Sequence, residues 1–178
     1  MVDQPHINCG VVMPTKGTGN DLEQHWQEVR GIVVKSIQDA GFKNFPVNSI
    51  SDGGTCQNRM IHLLYELPIV ICDISFKNPE VMFALGMRVA FDKPTVIIKD
   101  NETDYIFDAA SIEYLEYPRN LRYSAILAFQ EKLASKIAAN HSASKSDSEH
   151  SPFLEKFKRV KLKRQDLKRQ AFNKMNLM

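Results

Sequence analysis

The stretch IVICDISFKNPEVMFALGMRVAFDKPTVIIK, residues 69–99, decides the fold. Ile69, Val70, Ile71 and Cys72 form a short unbroken apolar run, which reads as a central parallel strand covered on both faces. Asp73 stands at its carboxyl end, where open α/β sheets bind ligands, and reads either as a site carboxylate or as a cap. Asn78 is a natural helix cap and Pro79 a natural first-turn residue. A helix is therefore expected to start at the sheet's carboxyl edge, with free backbone donors that favour an anion. Val81, Met82, Leu85 and Val89 supply its apolar contacts. Glu80 and Ala84, four residues apart, are read on one face. Glu80 also fits as a first-turn carboxylate complementing the helix dipole, and Gly86 as a point of close approach or a packing glycine. Pro94 to Lys99 reads as the next strand.

Outward from this segment the same alternation repeats. Ile7–Met13 reads as a first strand, Pro14–Gly19 as a loop, and a long helix runs to about Ala40, where Gly41 stops it. Phe42–Val47 gives a second strand despite Pro46. Ser51–Gly54 is a loop, and a helix is expected from Thr55 to about Glu66. Ile112–Tyr117 reads as a fifth strand and Arg119–Ala139 as a closing helix. Strands separated by helices imply parallel pairing, because each parallel connection needs a crossover. The expected class is α/β, a flavodoxin-like doubly wound sheet of five parallel strands in the order 2-1-3-4-5, with helices on both faces. The division expected along the chain is a body at 1–140, a Ser-rich linker at 141–151 and a basic helical tail at 152–178.

The charge is divided unevenly. Of 23 basic and 21 acidic residues, nine basic and two acidic lie in residues 152–178, so the tail carries +7 and the rest −5 within a net charge of +2. The body has no charge-based reason to bind nucleic acid, whereas the tail suits either a solvated helix packing on its own body or a twin, or contact with a polyanion or protein partner. Cys9, Cys56 and Cys72 are far apart and read as free thiols of a reducing compartment. No apolar run is long enough to span a membrane and the amino terminus lacks a signal-peptide pattern, so a cytoplasmic protein is expected. The histidines form no metal-ligand spacing, and no metal or cofactor is expected.

Three blocks, VVMPTKG (11–17), DGGTCQNRM (52–60) and CDISFKNPEVMFALGMRVAFDKPTVII (72–98), occur in an order that resembles the nucleoside 2-deoxyribosyltransferase-like family, relatives of Toll/interleukin receptor (TIR) domains. The likeness spans about Asn8 to Tyr117. It implies that Met13 and Pro14 belong to the first site loop, Asp73 to the strand-end aspartate, and Asn78 and Pro79 to the helix start. Phe83, Leu85 and Gly86 match as well. Between them, Ala84 stands where the family has its working glutamate.

That glutamate acts at the anomeric carbon of a nucleoside or nucleotide, as nucleophile or as stabiliser of an oxocarbenium-like transition state. A carboxylate is needed because the sugar carbon gains positive charge as the base leaves, and a methyl group supplies none. Three accounts of Ala84 compete: a substitution that silences an enzyme, a carboxylate displaced one turn to Glu80, and a relative that binds without cleaving. The resemblance implies N-glycosidic bond cleavage or transfer on a nucleoside, nucleotide or NAD, and a nucleotide-depleting antiphage effector as its setting. The rival is a nucleotide-binding sensor or scaffold. Oligomers are implied because family sites often borrow residues across a dimer.

In supporting roles, Asn78 would hold ribose or phosphate and Met82 would wall the base. Thr15 and Lys16 would touch a phosphate or sugar hydroxyl, although a lysine in such a loop is usually solvated. Asp52 with Gly53 and Gly54 matches a second site loop, or is a plain turn. Asp108 matches weakly. His25 and Trp26 read as interface or core edge.

Overall fold

The computed structural model describes residues 7–15, 20–47, 56–104, 112–146 and 153. Its elements run β1 (Asn8–Val12), α1 (Asn20–Asp39), β2 (Lys43–Pro46), α2 (Cys56–Glu66), β3 (Ile69–Asp73), α3 (Pro79–Ala90), β4 (Thr95–Asp100), β5 (Tyr114–Tyr117) and α4 (Tyr123–Ser146). A short 3-10 turn, Ser75–Lys77, links β3 to α3. Every strand pair is parallel and the order is β2-β1-β3-β4-β5, the doubly wound order expected from the sequence.

Alternation along the strands divides the core into two layers. Cys9, Val11, Ile69, Ile71, Val96 and Ile98 face α1 and α4, which present Trp26, Val29, Val33, Ile37 and Ile126, Phe129, Leu133, Ile137 at helical spacing. Val12, Val70, Cys72 and Ile97 face the other way, onto Met60 and Leu64 of α2 and Val81, Ala84 and Leu85 of α3. The chain leaves β1 toward α1 on one face and β3 toward α3 on the other. The carboxyl ends of these adjacent strands therefore flank a topological switch point, the place where doubly wound sheets open a crevice.

Two glycines have a structural reason. A Cβ on Gly10, in the middle of β1, would stand 2.7 Å from Leu67 Cδ1. Gly41 closes α1 at φ 83°, a left-handed conformation that side chains resist. Pro46 is tolerated because β2 is an edge strand, paired on one side with β1.

The amino end of the sheet is held by Arg88, a fully buried cation on the otherwise apolar face of α3. Its Nη1 donates to the carbonyls of Leu64 (2.7 Å) and Leu67 (2.9 Å), its Nε to Thr95 Oγ1 (3.2 Å), and its Nη2 to the Pro94 carbonyl. Burial lowers its pKa to about 10, which leaves it charged at neutral pH. One side chain thus joins the end of α2 to the starts of β3 and β4.

Two expectations need correction. The closing helix starts later than Arg119, because the chain turns at Pro118–Leu121 with Leu121 at φ 49°. It then runs on to Ser146, through residues 141–146 of the expected linker. His141 holds it there, buried with its ring edge-on to Phe42 at 5.0 Å. Gly86 is exposed and a Cβ there would meet nothing within 4 Å, so it marks no close approach. Cys9 and Cys72 are buried free thiols, as expected, and burial pushes both up to about 12; the Cys56 side chain lies outside the description. Of the basic tail only Phe153 is described: it packs into the α2/α3 layer, and its N–H donates to Asp92 Oδ1 at 2.9 Å. Among the described residues no helix is long and apolar enough to cross a membrane.

Arg88→Ala strips several buried carbonyls of their donor at once and is expected to lower unfolding stability by about 3 kcal/mol or more in urea titration. Arg88→Lys should recover only part of this, since an ammonium cannot reproduce the guanidinium fork.

Candidate functional site at the carboxyl edge

Asp73, the last residue of β3, continues the alternation of Ile69 and Ile71 and so turns its carboxylate to the α1/α4 side. It is 1% exposed. Its Oδ1 accepts from the Ser75 N–H (3.0 Å) and the Ser75 hydroxyl (2.6 Å), and its Oδ2 from the Tyr117 hydroxyl (2.9 Å). Ser75 Oγ and Tyr117 Oη are themselves 3.0 Å apart. Ser75 Oγ also accepts from the Asp100 N–H at 2.8 Å. The end of β3 is thereby tied to β4 and, across it, to β5.

Proton counting explains the character of this cluster. With Asp73 ionised, two hydroxyl hydrogens serve three oxygen–oxygen contacts; with Asp73 protonated there is one for each. Burial pushes the Asp73 pKa up to about 6, against the hydrogen bonds from Ser75 and Tyr117, which lower it. Tyr117 is raised as well, by burial first and then by the Asp73 charge.

Asp100 ends β4 in the same manner. Its Oδ1 accepts from the backbone N–H groups of Glu102 (3.2 Å) and Thr103 (2.6 Å) and folds the following loop. Thr103 Oγ1 then accepts the Phe76 N–H at 3.0 Å, joining that loop to the turn after β3. Arg119, just beyond β5, approaches Asp100 Oδ2 (3.5 Å) and Glu102 Oε2 (3.3 Å) through Nη1 and lies over the Phe76 ring at 4.1 Å. Phe76 in turn meets Trp26 of α1 edge-on at 5.5 Å, and Trp26 meets His25 at 5.1 Å. Polar and aromatic groups from four segments converge on the α1 side of the carboxyl edge.

The residues expected from sequence are divided by this geometry. Met13 and Pro14 are buried and Thr15 half-buried, directly after β1 at the switch point. Asn78 caps α3, its Oδ1 accepting from the N–H groups of Glu80 (3.0 Å) and Val81 (3.3 Å). Glu80 is exposed in the first turn, and Met82 is half-buried against the α2/α3 layer. Ala84 has no exposed surface and packs in that same layer. Asp73 and Ala84 therefore lie on opposite sides of the sheet. Glu80 and Ala84, though four apart, also part company: one faces solvent and the other the core. Asp52, Gly53, Gly54, Lys16 and Asp108 lie outside the described residues. Among the described residues no group of three or more His, Cys, Asp or Glu could hold a metal ion.

Ser75, Phe76, Asp100, Tyr117 and Arg119 were not singled out from sequence. Ser75 had a signal, since Asp followed two residues later by Ser is an Asx-turn pattern. Tyr117 could be placed only by register: it pairs with Asp100, the next strand-end residue.

No protein-family model and no curated protein matches this chain. Among solved structures it is similar to the CMP N-glycosidase BcmB of Clostridium botulinum, at 12% identity and a TM-score of 0.50 over 71% of this chain and 96% of that one. It is also similar to a 2-deoxyribosyltransferase from Leishmania mexicana, at 14% identity and a TM-score of 0.44 over 70% and 97%. The lysine decarboxylase LdcF of Francisella novicida matches at 9% identity and a TM-score of 0.45, over 78% of this chain and 18% of that one. The likeness to the CMP N-glycosidase is one of fold.

The raised carboxyl of Asp73 gives a pH test. Its pKa is about 6 folded against 3.8 as the ordinary value, so the folded state holds the proton longer. The contribution is whole below about pH 4 and is lost as pH rises through about 6, a loss on the order of 3 kcal/mol. Denaturation between about pH 4 and pH 8 should show wild type losing stability relative to Asp73→Asn by that amount. A difference that stays level across the range contradicts the buried, protonatable Asp73.

Proposed function

We propose that this chain binds a nucleoside or nucleotide without cleaving it, as a sensor or scaffold with the fold of N-glycosidases and deoxyribosyltransferases. The observation that carries this reading is the polar cluster at the switch-point edge. A buried, protonatable Asp73 fixes the turn that leads into α3, whose Asn78-capped start stands beside it. In this arrangement Asp73 orients the turn through Ser75, the start of α3 receives ribose or phosphate, and Met13–Thr15 border the crevice. The three matching sequence blocks, and the fold held in common with a CMP N-glycosidase, support the same class of ligand. TIR kinship, NAD as a substrate and nucleotide depletion in antiphage defence rest on the sequence resemblance alone. Assembly into oligomers and a polyanion or protein partner for the basic tail are further parts of the proposal, supported by the tail's charge.

One observation sets this reading above the alternative, cleavage or transfer at the N-glycosidic bond by a form with glutamate at position 84. Ala84 is packed among Val81, Leu85 and the apolar residues of α2 and β3, and an ionised glutamate there would need a partner to offset its burial.

Chromatography of nucleosides, nucleotides and NAD after incubation distinguishes the two. Ala84→Glu is expected to release no free base, because its carboxylate would enter the α2/α3 layer across the sheet from Asp73; release about 100-fold or more over the present chain, the scale of a fixed charge acting on a transition state, would establish cleavage instead. Glu80→Ala, at an exposed position, should change nothing. Calorimetric binding of the same compounds with no base released by either form would establish the sensor.

A further inference from the structure

α3 is apolar nearly all round, although a helix with one side to solvent ordinarily carries polar residues there. Its charged residues are Glu80 and the buried Arg88, and its outward side presents Phe83, 41% exposed, with Ala90 exposed and Met87 half-buried. Such a face marks a contact surface. We propose that its cover is the chain's own basic segment, residues 154–178, laid as a helix antiparallel to α3. The inference goes beyond the nucleotide-binding reading and stands without it.

Phe153 fixes where that segment begins. It is buried in the α2/α3 layer, and its N–H donates to Asp92 Oδ1 at 2.9 Å, two residues past the end of α3. Asp92 holds a left-handed backbone, φ 52°, a conformation that glycine or asparagine adopts at less cost. The anchor delivers the chain to the amino edge of the sheet beside the last turn of α3. Ser151 and Pro152 read as a helix start at the same point. Residues 154–178 lie outside the described residues.

The anchor also sets the register of a helix that turns back along α3. Eleven positions separate Phe153 from Arg164, and eleven separate Glu80 from Phe91, so two helices of equal rise keep step over that length. With Phe153 level with Phe91, Phe157 falls level with Met87, Val160 within a residue of Phe83, and Arg164 level with Glu80. The segment's apolar stripe at 153, 157 and 160 is thus broken by a cation where the α3 face carries its one exposed carboxylate. The overall charges agree, +7 in the tail against −5 in the rest. Lys158, Arg159 and Arg169 lie on the opposite side of such a helix, so docking leaves them outward.

Trypsin digestion of the full chain, followed by mass spectrometry as cleavage after Lys158 and Lys161, tests the docking. Phe83→Asp, at an exposed position, should speed cleavage of these bonds about 10-fold or more, since proteolysis follows the population of the open form. Glu80→Lys and Arg164→Glu should each speed it about 2- to 5-fold, the scale of a surface ion pair, and the two together should restore the wild-type rate. Thermal melts confirm that the body is kept, and the charge pair decides if Phe83→Asp disturbs it. Equal rates in wild type and Phe83→Asp overturn the docking, and charge reversals that do not compensate overturn the register. A wild-type rate constant that rises as the chain is diluted identifies a second copy as the cover and overturns the assignment to the chain's own tail.

Discussion

Burying the carboxylate of Asp73 obliges the surrounding chain to supply its donors, and the rest of the carboxyl edge is arranged around that obligation. The donors come from Ser75, two residues on, and from Tyr117, two strands away. Ser75 spends its remaining acceptor on the N–H of Asp100, and Asp100 folds the loop that holds Phe76. Without this chain of contacts the turn between β3 and α3 would have no reason to adopt two successive left-handed residues. The amino end of the sheet is built by the opposite device, a cation on neutral carbonyls at Arg88. The carboxyl end instead uses carboxylates and hydroxyls, which can exchange protons.

Strand alternation decides which of these groups can meet. A single residue of register separates Cys72, which faces α3, from Asp73, which faces α4. Ala84 belongs to the first layer and Asp73 to the second, so the sheet divides the two positions. The candidate site is consequently the α1-side cluster of Asp73, Ser75, Phe76, Tyr117 and Arg119. Position 84 supports it from behind, through the packing of α3.

Much of the architecture was readable beforehand. The apolar runs at 69–72 and 94–99, the Asn78-Pro79 start and the Gly41 stop are local signals, and each element they imply is present. The end of the last helix was not readable, because residues 141–146 look like a linker and are held helical by the packing of His141 on Phe42, a contact distant in sequence. The site was legible in part for the same reason. Asp73 and Asn78 announce themselves through position and capping chemistry. Tyr117, Arg119 and the Thr103–Phe76 link exist only once β3, β4 and β5 are side by side, and Arg88 hides as a charged residue on an apolar stripe.

Ligand binding is expected on one side of one edge, and backbone amide chemical-shift mapping with CMP tests that most directly. The predicted result is that the largest shifts fall on residues 13–15, 25–26, 74–78, 101–104 and 119. Shifts concentrated instead on Met60–Leu64 and Val81–Leu85, in the α2/α3 layer around Ala84, would contradict it.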